Sequence, residues 1–208
     1  MRKWECTVCG HIQEGEAPPE ECPICSADQS MFVEITADNT TVGPAAEAVV
    51  PSRKKSELLA HLYSRVSDLI LKYHLHPIAV HTPNGIVPMA ILFLAIAFFL
   101  RVPIFETVAF YSLVYVLIAM PAVVLTGIEV WQKRYRGALT SVFKIKIGAV
   151  VVTVLTLLIL VIWRVVQPDV IAPSSGGRWI YLGLSVVLVG AVALAGHMGG
   201  KLVFGNRK

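Results

Sequence analysis

Residues 141–166 read SVFKIKIGAVVVTVLTLLILVIWRVV, with no charge between Lys146 and Arg164. A bilayer core about 30 Å thick needs about 20 consecutive apolar residues as a helix, and this stretch supplies them. Three more stretches behave alike, so the chain predicts four spans, at Pro77–Leu100, Pro103–Ile128, Ser141–Val166 and Trp179–Met198. Composition agrees. The 208 residues are 55% hydrophobic and 15% charged, with mean hydropathy +0.67. Soluble domains carry about 25% charged residues, which places this chain among membrane proteins.

The connections between spans are short, and Trp131, Trp163 and Trp179 fall at span ends, where indole rings favour the headgroup layer. Four spans put both termini on one side. The loop after span two carries Lys133, Arg134 and Arg136, followed by Lys144 and Lys146. The tails add Arg53, Lys54, Lys55, Lys72, Lys201, Arg207 and Lys208. The opposite face has Arg101, Arg164 and Arg178. Excess positive charge marks the cytoplasmic side, so both termini are expected in the cytoplasm of a bacterial inner membrane. Topology accounts for these cations, and no nucleic-acid partner is expected. Met1-Arg2-Lys3 runs straight into Trp4-Glu5-Cys6, without the apolar core of an export signal.

The polar N-terminal part is organised differently. All four cysteines lie there, as Cys6-x-x-Cys9 and Cys22-x-x-Cys25. Each spacing lets two thiolates reach one ion, and two such loops make a tetrahedral site. A cytoplasmic location disfavours disulfides, and a unit this small lacks an adequate apolar core, so a metal supplies the missing stability. Four thiolates suit iron and zinc alike. Residues 37–56, with Gly43, Pro44 and Pro51, lack periodicity. They are expected to form a flexible linker spanning roughly 25 Å. From 57 to 73, apolar residues Leu58, Leu59, Leu62, Val66, Leu69, Ile70 and Tyr73 recur at helical spacing opposite His61, Arg65, Asp68 and Lys72. That pattern predicts an amphipathic surface helix, capped by Ser56, on the membrane or against the N-terminal domain.

Ionisable residues within membrane spans are functional candidates. His81 lies one turn into span one and His197 near the end of span four, at the same end of the bundle. Gly85 and Ala193 lie one turn deeper on the same helix faces, and Gly183, Gly190 and His197 repeat every seven residues. The pair is expected to be the axial ligands of haem b, with close helix packing as the plainer explanation of the small residues. His76, ahead of Pro77, either caps span one or contributes to cofactor binding. Glu106 sits in the first turn of span two, where the helix dipole favours it, and Glu129 is expected at the interface. His11, His61 and His74 are expected to be surface residues.

Two resemblances sharpen these expectations. Cys6-Thr7-Val8-Cys9-Gly10 and Cys22-Pro23-Ile24-Cys25, framed by Trp4 and Phe32 and joined through Glu14-Gly15-Glu16-Ala17-Pro18, resemble the short rubredoxin-like domain of rubrerythrins over residues 3–35. That resemblance implies one iron cycling between ferrous and ferric states. Zinc, with no redox chemistry, is the lesser expectation. Ser26 stands where that family usually has glycine. His76-Pro77-Ile78-Ala79-Val80-His81-Thr82-Pro83 and Gly196-His197-Met198-Gly199-Gly200-Lys201-Leu202-Val203 resemble the paired motifs of an uncharacterised family of four-span bacterial membrane proteins, for which haem binding is an expectation. Thr82 stands where that family often has an aromatic residue.

The expected architecture is therefore an all-α integral membrane four-helix bundle with a small N-terminal rubredoxin-like metal-binding domain. Its domains are 1–36, 37–56, 57–73 and 74–208. The expected function is electron transfer between a cytoplasmic donor such as a rubredoxin reductase, the four-cysteine iron, membrane haem and quinone, oxygen or superoxide, in either direction. The acidic N-terminal unit (Glu14, Glu16, Glu20, Glu21, Asp28) would be steered to the basic membrane face by opposite charge. A membrane oxidoreductase and a homodimer both remain open. So do a zinc ribbon that docks a partner and a metal-binding sensor or transporter. Phosphate loops, catalytic triads and dinucleotide fingerprints are missing from the sequence.

Overall fold

The computed structural model describes residues 2–35 and 54–205. The N-terminal unit is a three-stranded antiparallel sheet of β1 (Arg2–Cys6), β2 (Ile12–Gly15) and β3 (Phe32–Glu34), in the order β2-β1-β3. Trp4 pairs with Gln13 on one side and Glu34 on the other. A 3-10 turn, Gln29–Met31, enters β3, and Asp28 caps it by accepting from the Ser30 N–H. The sheet is too small to bury a core, and its interior is the cysteines themselves with Val8, Ile24, Ala27 and Phe32.

Six helices follow: α1 (Lys54–Lys72), α2 (Leu75–Ala79), α3 (His81–Leu100), α4 (Pro103–Arg134), α5 (Ser141–Val166) and α6 (Arg178–Phe204). Among the described residues, four stretches are long and apolar enough to cross a membrane, at Leu75–Leu100, Pro103–Arg134, Ser141–Val166 and Arg178–Phe204. The order of packing follows the chain, α3 on α4, α4 on α5 and α5 on α6, and α6 returns to α3 to close the bundle. Val87 and Leu94 from α3, Leu113 and Val116 from α4, Leu157 and Leu160 from α5, and Tyr181 and Leu188 from α6 fill its centre. Many other large apolar side chains, among them Phe99, Ile118, Leu125 and Val166, are exposed, as a lipid-facing surface requires.

Span three keeps its expected bounds, and the others differ informatively. Span one is broken at Val80, so His76 and Pro77 belong to the separate turn α2. Spans two and four run past Ile128 and Met198, to Arg134 and Phe204, because their last turns are covered by other parts of the chain. The expected linker lies outside the described residues as far as 53, and α1 starts at Lys54, ahead of the expected cap Ser56.

Glu129, expected at the interface, is covered by α1. It is buried and anchors α1, accepting from the hydroxyls of Tyr63, at 2.6 Å, and Ser67. The α1 edge carrying these two hydroxyls faces α4, and the apolar stripe of Leu62, Val66, Leu69 and Tyr73 is left exposed. Glu106 pairs with Arg164 at 2.8 Å, which ties the first turn of α4 to the last turn of α5.

Candidate metal centre and membrane histidines

The two cysteine loops are near copies of each other. Gly10 N–H donates to Cys6 O at 2.8 Å, and Ser26 N–H to Cys22 O at 2.9 Å. Cys6 N–H and Cys22 N–H donate to His11 O and Ala27 O, both at 2.8 Å. Each turn closes on a left-handed residue, Gly10 (φ +73°) and Ser26 (φ +56°). At Gly10 this costs little. At Ser26 the Cβ makes it unfavourable, so the departure from glycine does strain the turn while leaving the ligands in place.

The four sulfurs lie within 4.8 Å of one another, with Cys6 Sγ 3.7 Å from Cys25 Sγ and Cys9 Sγ 3.6 Å from Cys22 Sγ. A tetrahedron with metal–sulfur bonds of about 2.3 Å has edges of about 3.8 Å, so the set fits a single tetrathiolate metal ion. The separations are far beyond the roughly 2.05 Å of a disulfide. Electrostatics point the same way. Cys25 and Cys9 direct hydrogen bonds at Cys22 and hold its thiol well below the usual range. The bond to Cys22 pushes Cys9 up to about 12 and raises Cys25 as well. A cation bound at the centre of the four sulfurs would take the place of thiol protons.

Cys6, Cys22 and Cys25 are buried, whereas Cys9 is partly exposed. The buried side is sealed by the bundle. Val8, Ile24 and the cysteines share one apolar cluster with Tyr135, Val142, Phe143 and Leu202, flanked by Trp131 and Met198. Tyr135 and Phe143 pack ring on ring at 5.0 Å, and Trp131 Nε1 donates to Ala138 O at 2.8 Å, fixing the loop between α4 and α5. Burial raises the Tyr135 hydroxyl above its ordinary range, and the neighbouring Arg134 guanidinium partly offsets that. Gly205 comes so close that a Cβ there would lie 2.6 Å from Ile24 Cδ1. Charge steering is the expected means of bringing the domain to the membrane face; beside the contact, Glu5 and Glu34 of the sheet line one cleft with Lys133, Arg134 and Arg136, while the contact itself buries apolar side chains. Apolar burial holds it.

The histidines divide into two groups. Asn84 on α3 faces Gly196 on α6, its amide 3.2 Å from where a Cβ on Gly196 would sit. At about 100° per residue, His81 and Gly85 lie to one side of Asn84; on antiparallel α6, Ala193 and His197 lie to the same side of Gly196. All four are exposed, and so is Gly190. His81 and His197 therefore share one outward face of the α3–α6 pair, at the end that carries the cysteine domain, instead of pointing into the bundle. His81 Nδ1 donates to Pro77 O at 2.6 Å.

His76 takes the other direction. It makes no cap; the N-terminal residue flanking α2 is His74, in the left-handed region at φ +53°. The His76 ring reaches α4, where Thr126 Oγ1 lies 3.2 Å from Nδ1. The sequence pattern does not single out Tyr135 or Phe143, and it counts Lys146 only as topological charge. Lys146 stands three positions after Phe143, which puts both on one side of α5 and is the signal that could have found it.

Comparison with known proteins divides the chain in two. Residues 4–33 match the family described as "Rubrerythrin, rubredoxin-like domain". The chain is 51% identical over 35 residues to "Reverse rubrerythrin-1" of Clostridium acetobutylicum, a match covering 17% of this chain and 19% of that protein. This similarity is confined to the cysteine domain. Residues 72–207 match the family described as "Predicted membrane protein (DUF2231)". The chain belongs to that family, with a rubredoxin-like domain at its N-terminus. No solved structure matches it.

Proposed function

We propose that this protein is a membrane-anchored one-electron carrier that passes electrons between a soluble partner and its membrane bundle. The observation that carries this proposal is the shared apolar cluster, which seats the cysteine site directly on the α4–α5 loop and the end of α6. Cys6, Cys9, Cys22 and Cys25 would hold iron, which in a tetrathiolate site supplies a ferrous/ferric couple. The chain's own residues do the rest. The partly exposed Cys9 edge is open to a soluble partner, across a cleft of about 500 Å³ lined in part by Lys133, Arg134 and Arg136. Val8, Ile24 and Phe143 exclude water from the opposite side, and Tyr135 and Phe143 provide the packed contact toward the bundle.

On the membrane side, His81 and His197 would be the axial ligands of haem b. Donation from His81 Nδ1 to Pro77 O leaves Nε2 as the ligating nitrogen. The glycines at 85 and 190 leave that face clear of side chains. Because the face is outward, a second copy of the chain would cover the cofactor, making the unit a homodimer. Positive charge at Lys133, Arg134, Arg136 and the tails supports placing both termini in the cytoplasm of an inner membrane. The donor would be a reductase of the rubredoxin-reducing class, and the acceptor a quinone or oxygen or superoxide.

Sulfur spacings of 3.6 and 3.7 Å suit zinc equally, which sustains a second proposal: a non-redox protein whose ribbon is structural. Metal analysis and an optical spectrum of the purified full chain decide. The electron carrier requires stoichiometric iron, a visible ferric chromophore bleached by dithionite and a haem Soret band lost in His81→Ala and His197→Ala. A colourless zinc protein refutes it, and full haem in both histidine variants refutes the ligand assignment.

A further inference from the structure

Helix α1 presents an apolar stripe that the rest of the described chain leaves uncovered. Leu62, Val66 and Leu69, with Tyr73 in the turn that follows, are each close to half exposed. The cysteine domain is seated elsewhere, against Tyr135, Val142, Phe143 and Leu202. At about 100° per residue, Ser67 marks the edge of α1 that meets α4, and the stripe lies about a third of a turn to one side of it. Ser64, Asp68 and His61 lie on the other side. Arg65 and Lys72, both exposed, fall where the stripe meets these polar residues, on the far side from Ser67. On the near side Tyr63 borders the stripe, and Lys133 of α4 lies over its ring, with Nζ 5.9 Å from the centroid. The stripe therefore runs between cations on both flanks.

Its height in the membrane follows from α4. Between Glu106 and Glu129 that helix carries no charged residue, a rise of about 34 Å at 1.5 Å per residue, which matches a hydrocarbon layer about 30 Å deep. Glu129 marks the lipid boundary on the cysteine-domain side, and the Tyr63 and Ser67 hydroxyls that donate to it hold α1 at that level. Two residues beyond α1 the chain enters α2, where Leu75 and Ile78 are exposed at the head of the first membrane stretch. The stripe is thus continuous with the lipid-facing surface. A row of large apolar side chains flanked by cations suits a negatively charged headgroup layer: the apolar groups reach the acyl chains while the cations stay with the phosphates.

We propose that α1 is an interfacial helix that binds the surface of the protein's own bilayer and prefers anionic phospholipid. Leu62, Val66, Leu69 and Tyr73 enter the acyl-chain boundary, and Arg65, Lys72 and Lys133 meet the headgroup phosphates. This seat depends neither on the metal the cysteines hold nor on electron transfer, so it stands or falls apart from the carrier reading.

The test uses the full chain in vesicles of phosphatidylcholine alone or of phosphatidylcholine mixed with phosphatidylglycerol. A spin label is attached through a ketone-bearing residue replacing Val66 or, as the control, Ser64, which leaves the cysteines untouched. In the mixed vesicles the label at 66 should be relaxed more by oxygen than by a water-soluble nickel chelate, and the label at 64 should show the reverse. Hydrogen–deuterium exchange over 61–73 should be slower in the mixed vesicles than in phosphatidylcholine alone. Each cation at an anionic surface contributes about fivefold, so Arg65→Gln combined with Lys72→Gln should cut that lipid-dependent protection by up to roughly twenty-five-fold. Peptides spanning Leu157 and Leu188 should keep theirs, which shows that the bundle is intact. A label at 66 that favours the nickel chelate overturns the proposal. So does a label shielded from both probes, which means that a protein surface covers the stripe. Exchange over 61–73 that ignores phosphatidylglycerol, or ignores the double variant, overturns it as well.

Discussion

Leu202→Ala isolates the contact between the cysteine domain and the bundle. Leu202 is 7% exposed and lies on the last turn of α6 in one cluster with Val8 and Ile24 of the cysteine domain and Tyr135 and Phe143 of the bundle, so docking contributes to its burial. Truncation removes three carbons, each contributing about 0.8 kcal/mol of burial, so a loss of up to roughly 2 kcal/mol falls on docking. At about 1.4 kcal/mol per tenfold, the docked-to-undocked ratio drops by up to roughly thirtyfold. Hydrogen–deuterium exchange reads this directly. Peptides containing Val8 and Ile24, together with residues 135–143, should exchange faster, and those spanning Leu157 and Leu188 should not change. Leu194→Ala, on the exposed face of α6, is the control. Unchanged exchange at Val8 and residues 135–143 would refute the docking argument, as would acceleration spread evenly through the bundle.

Ser26→Gly should stabilise the cysteine domain by roughly 1 kcal/mol, because it removes a Cβ from a left-handed position; the denaturation midpoint followed through the metal chromophore measures it. Glu129→Ala should release α1 at a cost of roughly 1–2 kcal/mol, seen as faster exchange over 61–73 with the span cores unaffected. Arg164→Leu and Glu106→Leu should each lower the melting temperature, and the double variant should recover part of the loss, since removing a whole half-buried ion pair costs less than orphaning one partner. Chelating the metal should unfold the sheet and, by dispersing Val8 and Ile24, expose residues 135–143 to exchange as well.

The spans were legible because twenty or more uncharged residues have few alternatives, and the ligand set because two Cys-x-x-Cys loops carry their chemistry in their spacing. Span ends were less so. Charges such as Glu129 and Lys133 look like boundaries until α1 and the cysteine domain are seen covering the last turns of α4. His76 shows the same limit. Next to Pro77 it reads as a local cap, and only tertiary packing brings Thr126 and Gly127 within reach of its ring. The docking surface was illegible for a physical reason. Acidic and basic totals are visible in composition, whereas a contact made by Ile24, Tyr135, Phe143 and Leu202 depends on which small apolar groups happen to coincide in space.

One helix outruns the others. At 1.5 Å per residue, the 32 residues of α4 measure about 48 Å, whereas the hydrocarbon layer is about 30 Å deep. Half of that surplus, the roughly 9 Å from Glu129 to Arg134, is the pedestal on which the rubredoxin-like domain stands. Bilayer thickness therefore sets how much of that pedestal clears the lipid. Longer acyl chains would draw it under and press the domain into the headgroups, so hydrophobic mismatch becomes a control on access to Cys9.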